Sequence, residues 1–286
     1  MIDVRVIARS GRDILGEGPL WSARRDALFW VDVKGRQIHR LTLADNKVTS
    51  WTAPEMIGWL IERKDENGFV AGLQSGFALT DPDFRDFEVF ARLPDARPDV
   101  RLNDAKASSD GRIYAGSMEL SGRHSLGGFF RLDPNRRVTP LDSGYGVANG
   151  PALSLNEQTL YHTDSVRGRI YAFTREADGS LRDKRLFRQF EASDGSPDGM
   201  TIDAEDCLWV AHWDGGRLSR FDPDGKLISA HPLPASRITS CAFAGAGLDR
   251  LFVTSASEGR EDEPLAGALF ELDVGVTGAP SHSFAG

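Results

Sequence analysis

The stretch GSPDGMTIDAEDCLWVAH, Gly195–His212, holds the pattern from which the fold can be predicted. It contains a turn carrying Asp198, an apolar strand, an Asp-rich turn and a second strand centred on Trp209. The same order of parts recurs in five further segments, of which the second is the least regular: Leu15–Val31, Ile57–Gly72, Leu102–Gly116, Ala148–Thr163 and Thr239–Thr254. Six copies of one supersecondary unit predict a repeat architecture.

The aromatic residue of each second strand marks the length of the repeat. These markers are Phe29, Phe69, Tyr114, Tyr161, Trp209 and Phe252. Successive markers lie about 40, 45, 47, 48 and 43 residues apart, which is typical of propellers that devote one small sheet to each repeat. We therefore predict an all-β chain, a six-bladed β-propeller of four-stranded antiparallel blades that forms a single domain over residues 1–286.

The segment Val4–Ala8 alternates like a strand but precedes the first repeat. We expect it to close the ring by supplying the outer strand of the last blade, because closure removes an open sheet edge. The last residues, Ser281–Ala285, compete for that role.

Polar side chains recur at one register, about 11 or 12 residues before each marker. The residues at this register are Glu17, Gly58, Asn103, Asn149, Asp198 and Ser240. Equivalent points of the blades lie at one height around the axis, so the carboxylates and amides among them should meet at the mouth of the channel. Two enlarged loops, Ser117–Gly127 and Ser255–Ala266, should overhang this face and form pocket walls.

The side chains of Glu17, Asn149 and Asp198 offer hard oxygen ligands for one divalent cation. Ca²⁺, Mg²⁺, Mn²⁺, Zn²⁺ and Fe²⁺ all remain open as the identity of the ion. As the alternative, Asn149-Gly150 and Asp198-Gly199 are ordinary turn dipeptides, and Glu17 is a solvated acid.

Three further residues are candidates for binding a substrate. Arg101 and Asn103 are two residues apart and face the same side of an extended segment, where they could hold hydroxyl or carbonyl oxygens. Alternatively, Arg101 pairs with a structural acid such as Asp104. Glu119 opens the first enlarged loop and either reaches the pocket or faces solvent.

Composition excludes several classes of function. The net charge is −8, and the Lys and Arg residues are scattered, which argues against nucleic acid and anionic membranes as partners and favours a small neutral or cationic ligand. Cys207 and Cys241 are expected as reduced, buried thiols, and His162 and His212 as core or supporting residues. No apolar signal segment opens the chain, so we expect a cytoplasmic protein.

Several motifs together resemble the senescence-marker-protein/gluconolactonase (regucalcin-like) family. They are GEGPLW (16–21), RLNDAK (101–106), ANGPALS (148–154), SPDGMTID (196–203) and LWVAHWDGGRLSRFDPDGK (208–226). The resemblance implies a six-bladed propeller with one divalent cation at Glu17, Asn149 and Asp198, substrate contacts at Arg101 and Asn103, and Asp198 as the proton donor and acceptor. Glu119 is the nearest match to an acidic substrate contact of that family.

The resemblance also implies hydrolysis of a small sugar lactone to the aldonic acid. A cation would polarise the ester carbonyl, and Asp198, or less readily Asp104, would take a proton from water. One alternative is a metal-dependent esterase or phosphotriesterase-like propeller, which would have apolar pocket walls, whereas the enlarged loops here are polar. The other alternative is a non-catalytic calcium-binding propeller.

Overall fold

A computed structural model describes residues 3–94 and 96–286 and shows six four-stranded antiparallel sheets arranged as a β-propeller. The predicted fold class is therefore confirmed. The strands are β1 (Val4–Val6), β2 (Gly16–Ser22), β3 (Ala27–Asp32), β4 (Gln37–Thr42), β5 (Lys47–Thr52), β6 (Ile57–Glu62), β7 (Phe69–Leu73), β8 (Gly76–Thr80), β9 (Phe87–Ala91), β10 (Val100–Ala107), β11 (Ile113–Glu119), β12 (Gly127–Leu132), β13 (Val138–Tyr145), β14 (Ala148–Leu153), β15 (Thr159–Asp164), β16 (Arg169–Arg175), β17 (Leu181–Gln189), β18 (Ser196–Ile202), β19 (Leu208–Trp213), β20 (Arg217–Phe221), β21 (Leu227–Pro232), β22 (Ile238–Ala244), β23 (Arg250–Ser255) and β24 (Phe270–Leu272). Two short 3₁₀ helices, Ala23–Arg25 and Ala192–Asp194, complete the regular structure. Neither the length nor the apolarity needed to cross a bilayer is found in any helix of the described residues.

Each of the first five blades is a meander of four consecutive strands, from β2–β5 to β18–β21. All six marker aromatics lie on the second strand of their blade, as the sequence predicts. Five of these rings are almost fully buried and Tyr161 is 3% exposed, because each second strand is packed against the first strand of the next blade. The repeat period therefore corresponds to a buried aromatic side chain at the equivalent position of each blade.

The N-terminal strand closes the ring. Strand β1 pairs antiparallel with β24, so the sixth blade has the order β1-β24-β23-β22 and joins both ends of the chain. Beyond the strand, the Ile7 N–H donates to the Leu269 carbonyl at 2.9 Å. The predicted closure is confirmed for Val4–Val6. The competing C-terminal segment, Ser281–Ala285, does not pair with the last blade as its outer strand.

The C-terminal segment crosses the face on which the turns between first and second strands lie. The N–H of Ala279 donates to Ile202 O in the fifth blade, that of Phe284 to Glu62 O in the second, and that of Ala285 to Gly111 O in the third. The Phe284 side chain is fully buried in a core cluster shared by the second and third blades. The segment thus connects the terminal blade with the neighbouring fifth blade and with the second and third blades, which are not its neighbours.

Truncating this anchor should destabilise the protein. We expect Phe284→Ala to lower the free energy of unfolding by about 3 to 5 kcal/mol, because a fully buried ring is lost and a cavity remains. Urea unfolding of the variant and of Ser281→Ala, an exposed change in the same segment, measures the difference. A loss below about 1 kcal/mol for Phe284→Ala would show that the segment is not part of the cooperative fold.

Both cysteines and two histidines lie in the core, as predicted. Cys207 and Cys241 are free and buried. His162 is fully buried, with its ring centroid 3.7 Å from that of Phe129, and neither of its ring nitrogens has a hydrogen-bond partner among the described residues. Burial lowers the pKa of His162 to about 3 and that of His212 to about 4.

His162 should make the fold sensitive to acid. An unfolded histidine takes up a proton near pH 6.5 and the folded His162 near pH 3, so stability is complete above pH 6.5 and falls as the pH drops between these values. Acidification from pH 7 to pH 5 should cost about 2 kcal/mol through this residue. Urea unfolding at both pH values should show that His162→Leu avoids this loss and that His124→Gln, at an exposed histidine, does not. An equal loss in wild type and His162→Leu would contradict the assignment.

Candidate active site

The predicted axial register coincides with a β-bulge in every innermost strand. The strand pairing shifts between Glu17 and Leu20, Ile57 and Trp59, Leu102 and Ala105, Asn149 and Pro151, Pro197 and Met200, and Ile238 and Ser240. The expectation that these polar residues lie on turns is therefore wrong, since they lie within strands. A β-bulge changes the direction of a side chain and is frequent beside functional sites. Here the bulges turn the side chains at this register toward the axis.

Four of the six register positions contribute polar side chains to one cavity. Glu17, Asn103, Asn149 and Asp198 line a cavity of about 430 Å³, and Arg101 joins them. Gly58 brings no side chain, because a Cβ there would lie only 2.3 Å from the carbonyl oxygen of Asn103. The structure thus brings together every predicted site residue except Glu119.

The carboxylates in this cavity are buried and repel one another. Glu17 is 7% exposed and Asp198 is 4% exposed. Burial, followed by repulsion from Asp104, raises the pKa of Glu17 to about 8. Burial, followed by repulsion from Glu17 and Asp104, raises the pKa of Asp198 well above its usual value. The surrounding side chains therefore do not neutralise the negative charges that Glu17 and Asp198 would carry when both are ionised.

Hydrogen bonds hold these side chains in place. The Asn149 amide nitrogen donates to Oδ1 of Asp198 and, at 3.3 Å, to Oγ of Ser165. The Asn103 amide nitrogen donates to the Ala148 carbonyl at 3.0 Å. The Gly18 N–H donates to Oε2 of Glu17 at 3.1 Å. The polar floor of the cavity is therefore preorganised by contacts between successive blades.

Arg101 supplies the positive charge. It is 5% exposed, and its Nη1 donates to the Leu102 carbonyl at 2.9 Å. Burial lowers its pKa to about 10, and the charges of Glu17, Asp198 and Glu258 act in the opposite direction. Among the described residues no carboxylate lies within 4 Å of its guanidinium, so the pairing with Asp104 considered from the sequence is not found.

Asp104 lies on the other side of the axial polar cluster. It lines a separate small cavity toward the opposite face, together with Lys106 and the C-terminal residues Ser281 and His282. Its Oδ1 accepts from the Ala105 N–H at 2.7 Å, and burial raises its pKa. Asp104 thus acts on Glu17 and Asp198 through its charge and does not face the larger cavity.

The donor set fits a divalent cation. Two carboxylates and one amide are hard oxygen ligands, and a cation would offset the charge that burial leaves uncompensated on Glu17 and Asp198. In residues 3–94 and 96–286, no group of three His, Cys, Asp or Glu side chains converges as a metal site, so the amide of Asn149 is needed. That amide currently turns its nitrogen toward Asp198 and would present its oxygen when turned over.

Glu119 lies at the base of the first enlarged loop. It is 6% exposed, but its Oε2 accepts from Ser121 Oγ at 2.6 Å and from the Arg123 N–H at 3.2 Å. The Ser121 hydroxyl lowers the pKa of this carboxyl group. Leu120, Ser121 and Gly122 line the cavity, and Glu119 is not among its lining residues in the described chain.

The family model for the SMP-30/gluconolactonase/LRE-like region matches residues 15–257, which include all five polar floor residues. The chain belongs to this family. Within the SMP-30/gluconolactonase family, the 6-deoxy-6-sulfogluconolactonase of Pseudomonas putida is 33% identical over 279 residues, with 96% of both chains covered. A pentonolactonase of Haloferax volcanii is 32% identical over 293 residues, covering 98% of this chain and 97% of the relative.

A solved structure supports the same placement. The calcium-binding protein regucalcin of Agrobacterium tumefaciens superposes with a TM-score of 0.93 at 26% identity, covering 99% of this chain and 97% of that one. The similarity therefore extends through all six blades. This member of the SMP-30/gluconolactonase family shares the whole fold with a protein described as binding calcium.

Several cavity residues escaped the sequence reasoning because only the segment before each marker aromatic was compared. Outside the enlarged loops, residues that follow the markers by 4 or 5 positions also line the cavity: Lys34, Ser165, Val166 and Trp213. Met118, Leu120 and Glu258 come from the enlarged loops, which therefore form part of the wall as predicted. In each blade, the second strand continues past its marker aromatic to the face where the first strand begins. Counting forward as well as backward would therefore have identified these wall residues.

The walls are less polar than the enlarged loops suggest. Six apolar side chains that line the cavity are partly or largely exposed, and they are here named the apolar collar: Met56, Met118, Leu120, Val147, Val166 and Trp213. Met118 and Leu120 lie within the first enlarged loop, and the other four residues lie outside both loops. The wall is therefore mixed and not uniformly polar, since polar residues also line the cavity: Lys34, Ser121, Ser165, Ser196 and Glu258.

Proposed function

We propose that this chain is a metal-dependent sugar lactonase that opens an aldonolactone to the aldonic acid. The observation that carries the proposal is the convergence of Glu17, Asn149 and Asp198 with Arg101 and Asn103 on the floor of one cavity. Relatives that are named as lactonases and that match along almost the whole chain support the choice of substrate.

Glu17, Asn149 and Asp198 would hold one divalent cation through their side-chain oxygens. When bound, the cation supplies Lewis-acid polarisation of the ester carbonyl. The family likeness to a calcium-binding protein makes Ca²⁺ one candidate, and the oxygen ligands also suit Mg²⁺ and Mn²⁺, with Zn²⁺ and Fe²⁺ still open.

The remaining floor residues would orient the lactone and balance charge. The Arg101 guanidinium has free donors beside the bond to Leu102 O, and it stabilises negative charge that develops on the carbonyl oxygen. Asn103 is held by its amide nitrogen, so its oxygen is left for a ring hydroxyl of the sugar. We retain Glu119 as a proposed substrate contact that requires its loop to open.

Proton transfer is assigned to Asp198. One carboxylate oxygen takes a proton from the attacking water, the water oxygen bonds to the carbonyl carbon, and the bond from that carbon to the ring oxygen breaks. The proton then passes to the departing ring oxygen, which becomes a hydroxyl group, and the product is the open aldonic acid. Asp104 is the weaker candidate, since it lines the cavity on the opposite side.

A second function is favoured by one observation. The apolar collar resembles the wall expected for a metal-dependent esterase or phosphotriesterase. On the buried polar floor, water could attack either a carbonyl carbon or a phosphorus atom. Aryl acetates and dialkyl aryl phosphates therefore belong among the substrates tested. A calcium-binding propeller without catalysis would bind the cation and leave every substrate unchanged.

The test is proton release at constant pH from a panel of aldono-γ- and δ-lactones. The protein is stripped with a chelator, then resupplied in turn with each divalent cation, and the spontaneous rate is subtracted from every trace. We expect turnover that depends on the cation and is highest for one group of sugar lactones. Metal binding without turnover of any lactone would refute the proposal, and turnover of aryl or phosphate esters alone would favour the second function.

A further inference from the structure

The cavity has two zones of different chemistry. The floor residues Glu17, Asn149 and Asp198 are 4 to 7% exposed. In the apolar collar, Leu120 is 40% exposed and Val166 is 59% exposed, so these side chains lie toward the mouth. A polar reactive floor beneath an apolar mouth separates the site of chemistry from a surface that gains by excluding water.

The charged groups at the rim neutralise each other. Lys34 and Glu258 both line the cavity, and they form an ion pair between loops of the first and sixth blades. Their side chains are 42% and 36% exposed. The ion pair therefore offers no net charge to an ionic substituent, and the collar residues form the apolar part of the contact surface above the floor.

The cavity also exceeds the size of a simple sugar lactone. Its volume is about 430 Å³. A hexonolactone of twelve non-hydrogen atoms fills on the order of 200 Å³ at protein packing density. With the lactone on the floor, roughly half of the space remains, and it is lined by the collar.

We infer that the apolar collar is a subsite for an apolar substituent, so that the enzyme also hydrolyses lactones with an alkyl chain on the ring. This inference rests on the proposed lactonase function and extends it to a second class of substrate. As for an aldonolactone, the water oxygen bonds to the carbonyl carbon, the bond from that carbon to the ring oxygen breaks, and the ring oxygen becomes the hydroxyl group of a hydroxy acid. The alkyl chain takes the place of the sugar's hydroxylated substituents and contacts the collar.

The substrate series is a set of γ-lactones with methyl, ethyl, propyl, butyl and pentyl side chains. Their kcat/KM values are each divided by the rate constant for hydroxide-catalysed opening, which removes differences in intrinsic reactivity. Full burial of a methylene group corresponds to about a fourfold gain. Because the collar is partly open, we expect at least a tenfold increase from methyl to pentyl.

A double variant, Leu120→Ser with Val166→Ser, should reduce this increase to threefold or less. Both positions are exposed, so the substitutions should leave folding intact. Leu126→Ser is the matched control, because Leu126 lies in the same loop and is 41% exposed but is not among the residues lining this cavity. The control should keep the full dependence on chain length.

The outcomes separate this inference from the function on which it rests. A chain-length dependence that the double variant loses and the control keeps supports the subsite. If aldonolactones are opened but alkyl lactones are not, or the dependence is equal in all three proteins, the subsite is refuted and the sugar lactonase stands. If no lactone of either kind is opened with any cation, both are refuted.

Discussion

Replacing Asp198 by Asn should lower kcat/KM for an aldonolactone at least a thousandfold. The substitution removes the group proposed to move the proton, a role that alone contributes about 10² to 10⁴ in rate, and it removes one of two carboxylates from the proposed cation site. The Asn side chain has the same shape, so the cavity and its contacts to Asn149 remain. Initial rates by proton release, with saturating cation, measure the effect.

The control separates loss of chemistry from loss of structure. Asp183→Asn changes an exposed carboxylate whose positive φ of 53° suits asparagine, and it should keep full activity. In the presence of chelator, Asp198→Asn should unfold at the same or a higher temperature than wild type, because a buried, uncompensated acid is removed. More than a tenth of wild-type activity in Asp198→Asn would exclude Asp198 as the base.

Removing the cation should abolish activity, and in Glu17→Gln at least a hundredfold more metal should be needed to restore it. The substitution halves the negative charge of the donor set while leaving the size of the side chain unchanged. A readout independent of activity is the rise in melting temperature on adding Ca²⁺, Mg²⁺ or Mn²⁺ to the stripped chain, since a ligand that binds only the folded state stabilises it. Elemental analysis gives the metal content per chain.

Glu258→Gln provides the comparison for this prediction. Glu258 lines the same cavity but pairs with Lys34 at the rim, so this variant should keep the metal-dependent rise in melting temperature. An identical metal response in wild type, Glu17→Gln and Glu258→Gln would show that the acids on the floor do not bind the cation. Full activity after exhaustive chelation would remove metal dependence from the proposed function.

The repeat register could be read from the chain because it is a local property. A buried aromatic at the equivalent position of each second strand sets the spacing from Phe29 to Phe252. The same spacing places Glu17, Asn149 and Asp198 at one height. Their local conformation was nevertheless predicted wrongly, because an Asn-Gly or Asp-Gly pair is compatible with both a turn and a β-bulge. Gly150, for example, lies in a bulged strand and has a φ of +25°.

The wall of the cavity could not be obtained in the same way. Met56 and Trp213 lie outside both enlarged loops and meet only when the second and fifth blades close around the axis. For Glu119, the sequence gives a carboxyl group near the pocket but not the competing donors Ser121 Oγ and Arg123 N–H, which bind it within its own loop. Loop hydrogen bonds of this kind depend on backbone geometry that the residue types do not specify.

The sequence by itself determined the six-bladed fold and the set of polar residues at the axis, because periodic burial acts within each repeat. It favoured closure by Val4–Ala8 over Ser281–Ala285, and the pairing of β1 with β24 decided between them. Only the tertiary structure decided that Asp104 faces the opposite cavity and that an apolar collar surrounds the mouth. It also decided that Glu17 and Asp198 have raised pKa values. Desolvation and charge repulsion act between residues far apart in the chain, so they exist only once the blades surround a common axis.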